Sequence, residues 1–171
     1  ALLAVVAGFM VLVPAWTALA RLSLAYDRGR ILVLLLLLLV VAADVGAYFA
    51  GRRLGRLKVA PRVSPGKTWE GVFGGLIAAC VVAVIASWPL QVPTIPFLAL
   101  CSGVVVASIV GDLTESMFKR YAGIKDSGTI FPGHGGVLDR IDSITAAAPF
   151  FVLGLGWLGV LRGSRLLLPC S

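Results

Sequence analysis

Apolar residues fall along this chain in five long runs, at 1–20, 31–50, 72–90, 95–113 and 141–161, separated by short stretches where turn-forming or charged residues gather. Crossing the hydrocarbon core of a bilayer takes roughly 20 mostly apolar residues, so each run has the length of a transmembrane segment. The second run holds an unbroken aliphatic tract at 34–41 and continues through 45–49, further than a buried helix of a soluble domain needs. In lipid the backbone polar groups must be satisfied within the segment, which selects helices, and no alternating pattern supports a barrel. The expected fold class is therefore all-α: a polytopic membrane protein forming a single transmembrane domain over 1–171, with about five spanning helices. The chain opens on Ala1 inside an apolar run, and further N-terminal spans are expected upstream. Ala18-Leu19-Ala20 is similar to a signal-peptidase site, but no basic region precedes the apolar stretch, and cleavage is not expected.

Composition agrees. Apolar residues make up 59% and charged ones 13% of the 171 residues, well away from the balance of a soluble domain. The net charge of +7 comes from residues between the spans. If the loops at about 51–71 and 114–140 face the cytoplasm, Arg52, Arg53, Arg56, Lys58, Arg62, Lys67, Lys119, Arg120, Lys125 and Arg140 lie on that side, against Arg21, Arg28, Arg30, Arg162 and Arg165 on the other. That asymmetry is the positive-inside pattern, so the charge reads as topology and no nucleic-acid partner is expected. The uncharged, Pro-bearing connection 91–96 fits a plain external turn. Cys80 and Cys101 fall inside spans and Cys170 in the tail, without metal-ligand or redox spacing, and read as small packing residues.

Ionisable groups inside or beside spans are costly and usually face a cavity or a partner. Asp44 is the first, with Tyr48 one helical turn on and Arg52 two turns on, so the three share a face. It either pairs with Arg52 or Arg53 at the membrane boundary or lines a polar site. In the loop 58–71, Pro61, Pro65 and Gly66 disfavour helix, and Ser64, Lys67 and Thr68 offer hydroxyl and ammonium donors suited to phosphate oxygens. Gly66-Lys67-Thr68 is similar to the end of a P-loop, but the upstream Gly is absent and no strand is expected before it. The fourth run ends in SIVGDLTESMFKR, where helical spacing puts Asp112, Glu115, Ser116 and Lys119 on one face. The fifth begins with Asp139, Arg140 and Asp142, and Ser143 follows Asp139 by one turn. Two joined helices thus bring acids to one membrane surface, an oxygen-only set suited to Mg²⁺, which takes one or two carboxylates and fills its other positions with water and substrate phosphates. His134, in PGHGG, is either a hydrogen-bonding loop residue or a phosphate or proton-transfer group with uncrowded backbone around it.

Taken together, Ser116, Lys119-Arg120, Lys125-Asp126, His134-Gly135-Gly136, Asp139-Arg140 and Asp142 resemble, in order and spacing, the signature of the phosphatidate cytidylyltransferases, or CDP-diacylglycerol synthases. Gly111-Asp112 with Glu115, the string from Asp44 to Tyr48 and the loop from Ser64 to Glu70 resemble that family too. The resemblance implies that CTP and phosphatidic acid, the latter drawn from membrane lipid, give CDP-diacylglycerol and pyrophosphate with Mg²⁺, a second cation being allowed. It implies Asp112 and Asp139 as metal carboxylates, with Ser116, Lys119, Asp142 and His134 in the catalytic set. Ser64, Lys67, Thr68, Arg120, Lys125, Asp126, Arg140 and Asp44 then become substrate-binding candidates. An inner-membrane location with a cytoplasm-facing site follows from one lipid-held and one water-soluble substrate.

Other readings stay open at this point: an ether-lipid cytidylyltransferase, a polyprenol kinase, or an ion transporter with Asp44, Asp112 and Asp139 along its path. The longer aspartate pattern of the CDP-alcohol phosphotransferases is not found. Small residues in two facing spans are compatible with a homodimer.

Overall fold

The computed structural model describes residues 2–24, 29–61, 63–121 and 138–163. Five helices follow one another: α1 (Leu2–Leu24), α2 (Gly29–Leu54), α3 (Trp69–Leu90), α4 (Thr94–Tyr121) and α5 (Leu138–Trp157), with a short 3-10 turn at Val160–Gly163. Among the described residues α2, α3 and α4 are each long and apolar enough to cross a membrane, while α1 and α5 carry shorter apolar stretches, Gly8–Leu24 and Ser143–Trp157. This is an all-α, integral membrane protein.

α2 packs most extensively on α3, and α4 on α5, with α1 against α5 and α2. Size, not polarity, decides which face of α3 goes inside. Gly71, Gly75, Ala79, Ala83 and Ser87, spaced by four, are buried, while Phe73, Ile77, Val81 and Ile85 point outward. Lipid tails are as apolar as any side chain, so helices associate through close backbone contact at small residues. A Cβ on Gly74 would lie 2.3 Å from the Ala50 Cβ and 2.8 Å from the Gly46 carbonyl oxygen, and one on Gly75 would lie 2.8 Å from the Ala43 oxygen. Small residues thus bring the backbones of α2 and α3 close together within the chain. Larger side chains fill the rest of the core: Leu36, Leu39, Phe97, Val104, Val105, Phe151 and Leu155 are all fully buried.

Two boundaries differ from the sequence expectation. α4 does not stop with the apolar run but carries its polar end as continuous helix to Tyr121, and it begins at Thr94 with Pro96 in its first turn, where a missing N–H costs nothing. The stretch expected as a loop after α2 contains an antiparallel hairpin, β1 (Lys58–Ala60) and β2 (Ser64–Thr68). Pro and Gly exclude a helix there, and the strands are too short for an alternating pattern to show. Thr68 then caps α3: its Oγ1 accepts a hydrogen bond from Gly71 N at 3.2 Å.

Candidate active site

The end of the bundle where α2 and α4 finish and α3 begins holds a cavity of about 230 Å³. Asp44, Ala47 and Tyr48 of α2 line it, with Gly66, Lys67 and Thr68 of β2, Gly71 and Val72 of α3, Ser108, Ile109 and Asp112 of α4, and Ser143 of α5. The hairpin reaches this place through its own irregularity. Lys58 pairs with Thr68 and Ala60 with Ser64, so Val59 alone in β1 faces Pro65, Gly66 and Lys67 in β2. Such a bulge bends the strand and re-aims its side chains, and it also accommodates Pro65, which has no N–H to give the ladder. Gly51 and Gly55 at the end of α2 make room for Thr68, whose hydroxyl would stand 2.9 Å from a Cβ on Gly51.

From the bulge, the Lys67 ammonium forms an ion pair with Asp112 Oδ2. On the other carboxylate oxygen, Oδ1, Asp112 accepts a hydrogen bond from the Ser116 hydroxyl at 3.4 Å, one turn along α4. The next pair on the same face is Glu115 with Lys119, whose Nζ lies 2.8 Å from Oε1. That oxygen has no contact with solvent, and the pair is a charge contact without hydrogen-bond alignment. Tyr48 on the α2 side accepts a hydrogen bond from Arg52 Nη1 at 2.6 Å, the guanidinium also lying 5.8 Å from the ring centre.

Of the residues singled out from sequence, the structure brings Asp44, Lys67, Thr68 and Asp112 to one cavity, and Ser116 reaches it through Asp112. The Thr68 hydroxyl is occupied as a helix cap. Ser64, Lys119 and Arg120 stand outside the lining: Ser64 opens β2, Lys119 is held by Glu115, and Arg120 is exposed in the last turn of α4. Asp139, Arg140 and Asp142 belong to the first two turns of α5, position 139 one turn before the lining residue Ser143, but their side chains fall outside what is described. Lys125, Asp126 and His134 lie outside the described residues altogether. Ser108 and Ser143 join the lining beyond the candidates named from sequence, and the four-residue spacing Ser108, Asp112, Ser116 is the signal that marks the first of them. Gly66-Lys67-Thr68 lies within a strand that runs into a helix, unlike a P-loop, where a strand precedes the glycine loop. Cys101 is buried in the core and Cys80 sits 3.7 Å from the Ser102 hydroxyl, both as packing residues.

The lining chemistry fits a hard cation. Its polar side-chain groups include carboxylate and hydroxyl oxygens beside the Lys67 ammonium, with no thiol or imidazole among the described lining residues. Among the described residues no three acids, His or Cys gather into a metal-ligand group.

A polar cavity among apolar helices long enough to cross a membrane defines an integral membrane protein. The profile of the cytidylyltransferase family matches residues 2–157, and the chain belongs to that family. It is 50% identical over 156 residues to the phosphatidate cytidylyltransferase of Pseudomonas aeruginosa, covering 88% of this chain and 57% of that protein. To the phosphatidate cytidylyltransferase of Haemophilus influenzae it is 49% identical over 161 residues, covering 88% and 56%. A Synechocystis protein of the same name is 45% identical over 128 residues, covering 72% and 43%. The chain spans about half the length of the curated relatives it matches.

Proposed function

We propose that this protein is a CTP:phosphatidate cytidylyltransferase, forming CDP-diacylglycerol and pyrophosphate at the cytoplasmic face of the inner membrane. The observation that carries the reading is the Lys67–Asp112 ion pair at a cavity lined by α2, β2, α3, α4 and α5, in a chain of the cytidylyltransferase family. In the reaction a phosphate-monoester oxygen of phosphatidic acid attacks the α-phosphorus of CTP, and the bond to the bridging oxygen breaks as pyrophosphate leaves. The nucleophile is already anionic, so no covalent enzyme intermediate is needed. The site has to align two polyanions that repel each other and offset their charge.

The residues of this chain divide that work. Lys67 is neutralised by Asp112 in this structure, and an incoming triphosphate offers its ammonium a second anion. Ser116 keeps the Asp112 carboxylate oriented from below, and the Glu115–Lys119 pair continues the same polar face beyond it. Asp112, together with Asp139 from α5, would hold Mg²⁺. Bound there, the ion would add positive charge to that of the Lys67 ammonium. Lys125, Asp126, His134, Arg140 and Asp142 complete the site in this reading, with Asp44 closing its α2 side.

The test is formation of CDP-lipid from radiolabelled CTP and phosphatidic acid by the protein in membranes, with and without Mg²⁺. Labelled CDP-diacylglycerol appearing only with both lipid and cation supports the assignment. CTP left intact, together with ion flux through the protein in liposomes without CTP, overturns it.

A further inference from the structure

We infer that Glu70 is a positioning residue for Lys67, acting by clamping the base of the hairpin; the inference rests on the function proposed above. The hairpin has only two ladder pairs, with the bulge that carries Lys67 between them. Isolated two-stranded hairpins are marginal even when regular, so something outside the ladder has to fix this one. Glu70, in the first turn of α3, supplies that link. Its Oε1 accepts from the backbone N–H of Arg56 at 3.0 Å and of Leu57 at 3.2 Å, with Oε2 at 3.4 Å from Leu57 N. Beside it, Trp69 N donates to the Leu57 carbonyl oxygen at 2.9 Å. Charge-assisted bonds from a carboxylate to two consecutive backbone donors fix both the distance and the register of the incoming strand.

The consequence falls on Lys67. Arg56 and Leu57 lead directly into β1, and Glu70 lies two residues after the end of β2, so the clamp closes the loop that contains the bulge. A shift in strand register carries side chains to the other face. Without the clamp, the Lys58–Thr68 pair loses its anchor and the Lys67 ammonium loses its fixed distance to Asp112. Glu70 itself does not line the cavity. It works at one remove, through the backbone.

The test is a double-mutant cycle between Glu70→Ala and Lys67→Met, read as KM for CTP, KM for phosphatidic acid and kcat, with hydrogen exchange of residues 58–68 measured alongside. Glu70→Ala is expected to raise KM for CTP about 10-fold, to leave KM for phosphatidic acid unchanged, and to speed exchange in the hairpin. Glu70→Gln keeps a carbonyl oxygen where Oε1 accepts both bonds and is expected to retain most of the wild-type KM. In the Lys67→Met background Glu70→Ala is expected to add no further change in KM for CTP. Full multiplication of the two defects, or a Glu70→Gln variant as impaired as Glu70→Ala, overturns the inference while leaving the proposed function standing. Wild-type protein that makes no CDP-lipid overturns both.

Discussion

Lys67 and Asp112 meet in an ion pair although one lies in a surface hairpin and the other near the end of a membrane helix, with all of α3 between them in the chain. The contact joins the two polar segments of the protein into one site. In the proposed reaction this pair would stand where substrate charge has to be offset.

Lys67→Met removes that ammonium and leaves Asp112 without its ionic partner. A hydrogen bond to a charged group contributes about 1.5–3 kcal/mol, so KM for CTP is expected to rise by roughly 10- to 100-fold, with Lys67→Arg intermediate. Initial rates over a range of CTP concentrations check this, and an unchanged KM would remove Lys67 from the nucleotide site.

The packing of α2 on α3 gives a second prediction. Gly74→Ala puts a methyl 2.3 Å from the Ala50 Cβ and 2.8 Å from a backbone oxygen, and neither can yield without moving a helix. Overpacking of this kind costs about 1–3 kcal/mol, and the thermal midpoint in detergent is expected to fall by several degrees. Gly103→Ala, with nothing within 4 Å of the added atom, serves as control and is expected to leave the midpoint in place.

Thr68 is a candidate both for substrate binding and for structure, and its hydroxyl bond to Gly71 N favours the second role. Thr68→Ala is expected to destabilise the protein by about 1 kcal/mol through loss of the cap, and Thr68→Ser to restore it. Denaturation midpoints of the two variants in one detergent decide the point. Loss of CTP affinity in Thr68→Ala that Thr68→Ser restores, with the denaturation midpoint unchanged in both, would instead assign the hydroxyl to the substrate.

Chelation supplies the test of the cation. EDTA is expected to stop CDP-lipid formation and added Mg²⁺ to restore it, while Asp139→Asn is expected to stay inactive at all Mg²⁺ concentrations. Activity that persists through chelation would remove the metal from the account.

The helices were legible because lipid demands long apolar segments, and the one-face arrangement of Asp112, Glu115, Ser116 and Lys119 was legible because helical spacing fixes it; the Ser116–Asp112 and Glu115–Lys119 contacts follow that spacing. Which face of each span turns inward was not legible from hydropathy, since α3 is apolar all round and only the size of its residues separates inside from outside. The hairpin was missed for another reason. Its strands are set by Glu70 and by a bulge, both tertiary features, and the Pro and Gly that announce a break in the helix say nothing about what replaces it. For Lys67 the sequence offered a phosphate-binding role but no partner, because its pairing with Asp112 depends on how α4 packs beside α3.

The central claim is that cytidylyl transfer takes place at the cavity around Asp112. Its most direct measurement is the rate at which Asp112→Asn protein, shown to be folded in detergent, converts labelled CTP and phosphatidic acid to CDP-diacylglycerol. The account predicts a loss on the order of 100-fold or more, as expected when the group that organises charge at a reacting phosphate is removed. Turnover close to wild type in the folded variant would contradict it.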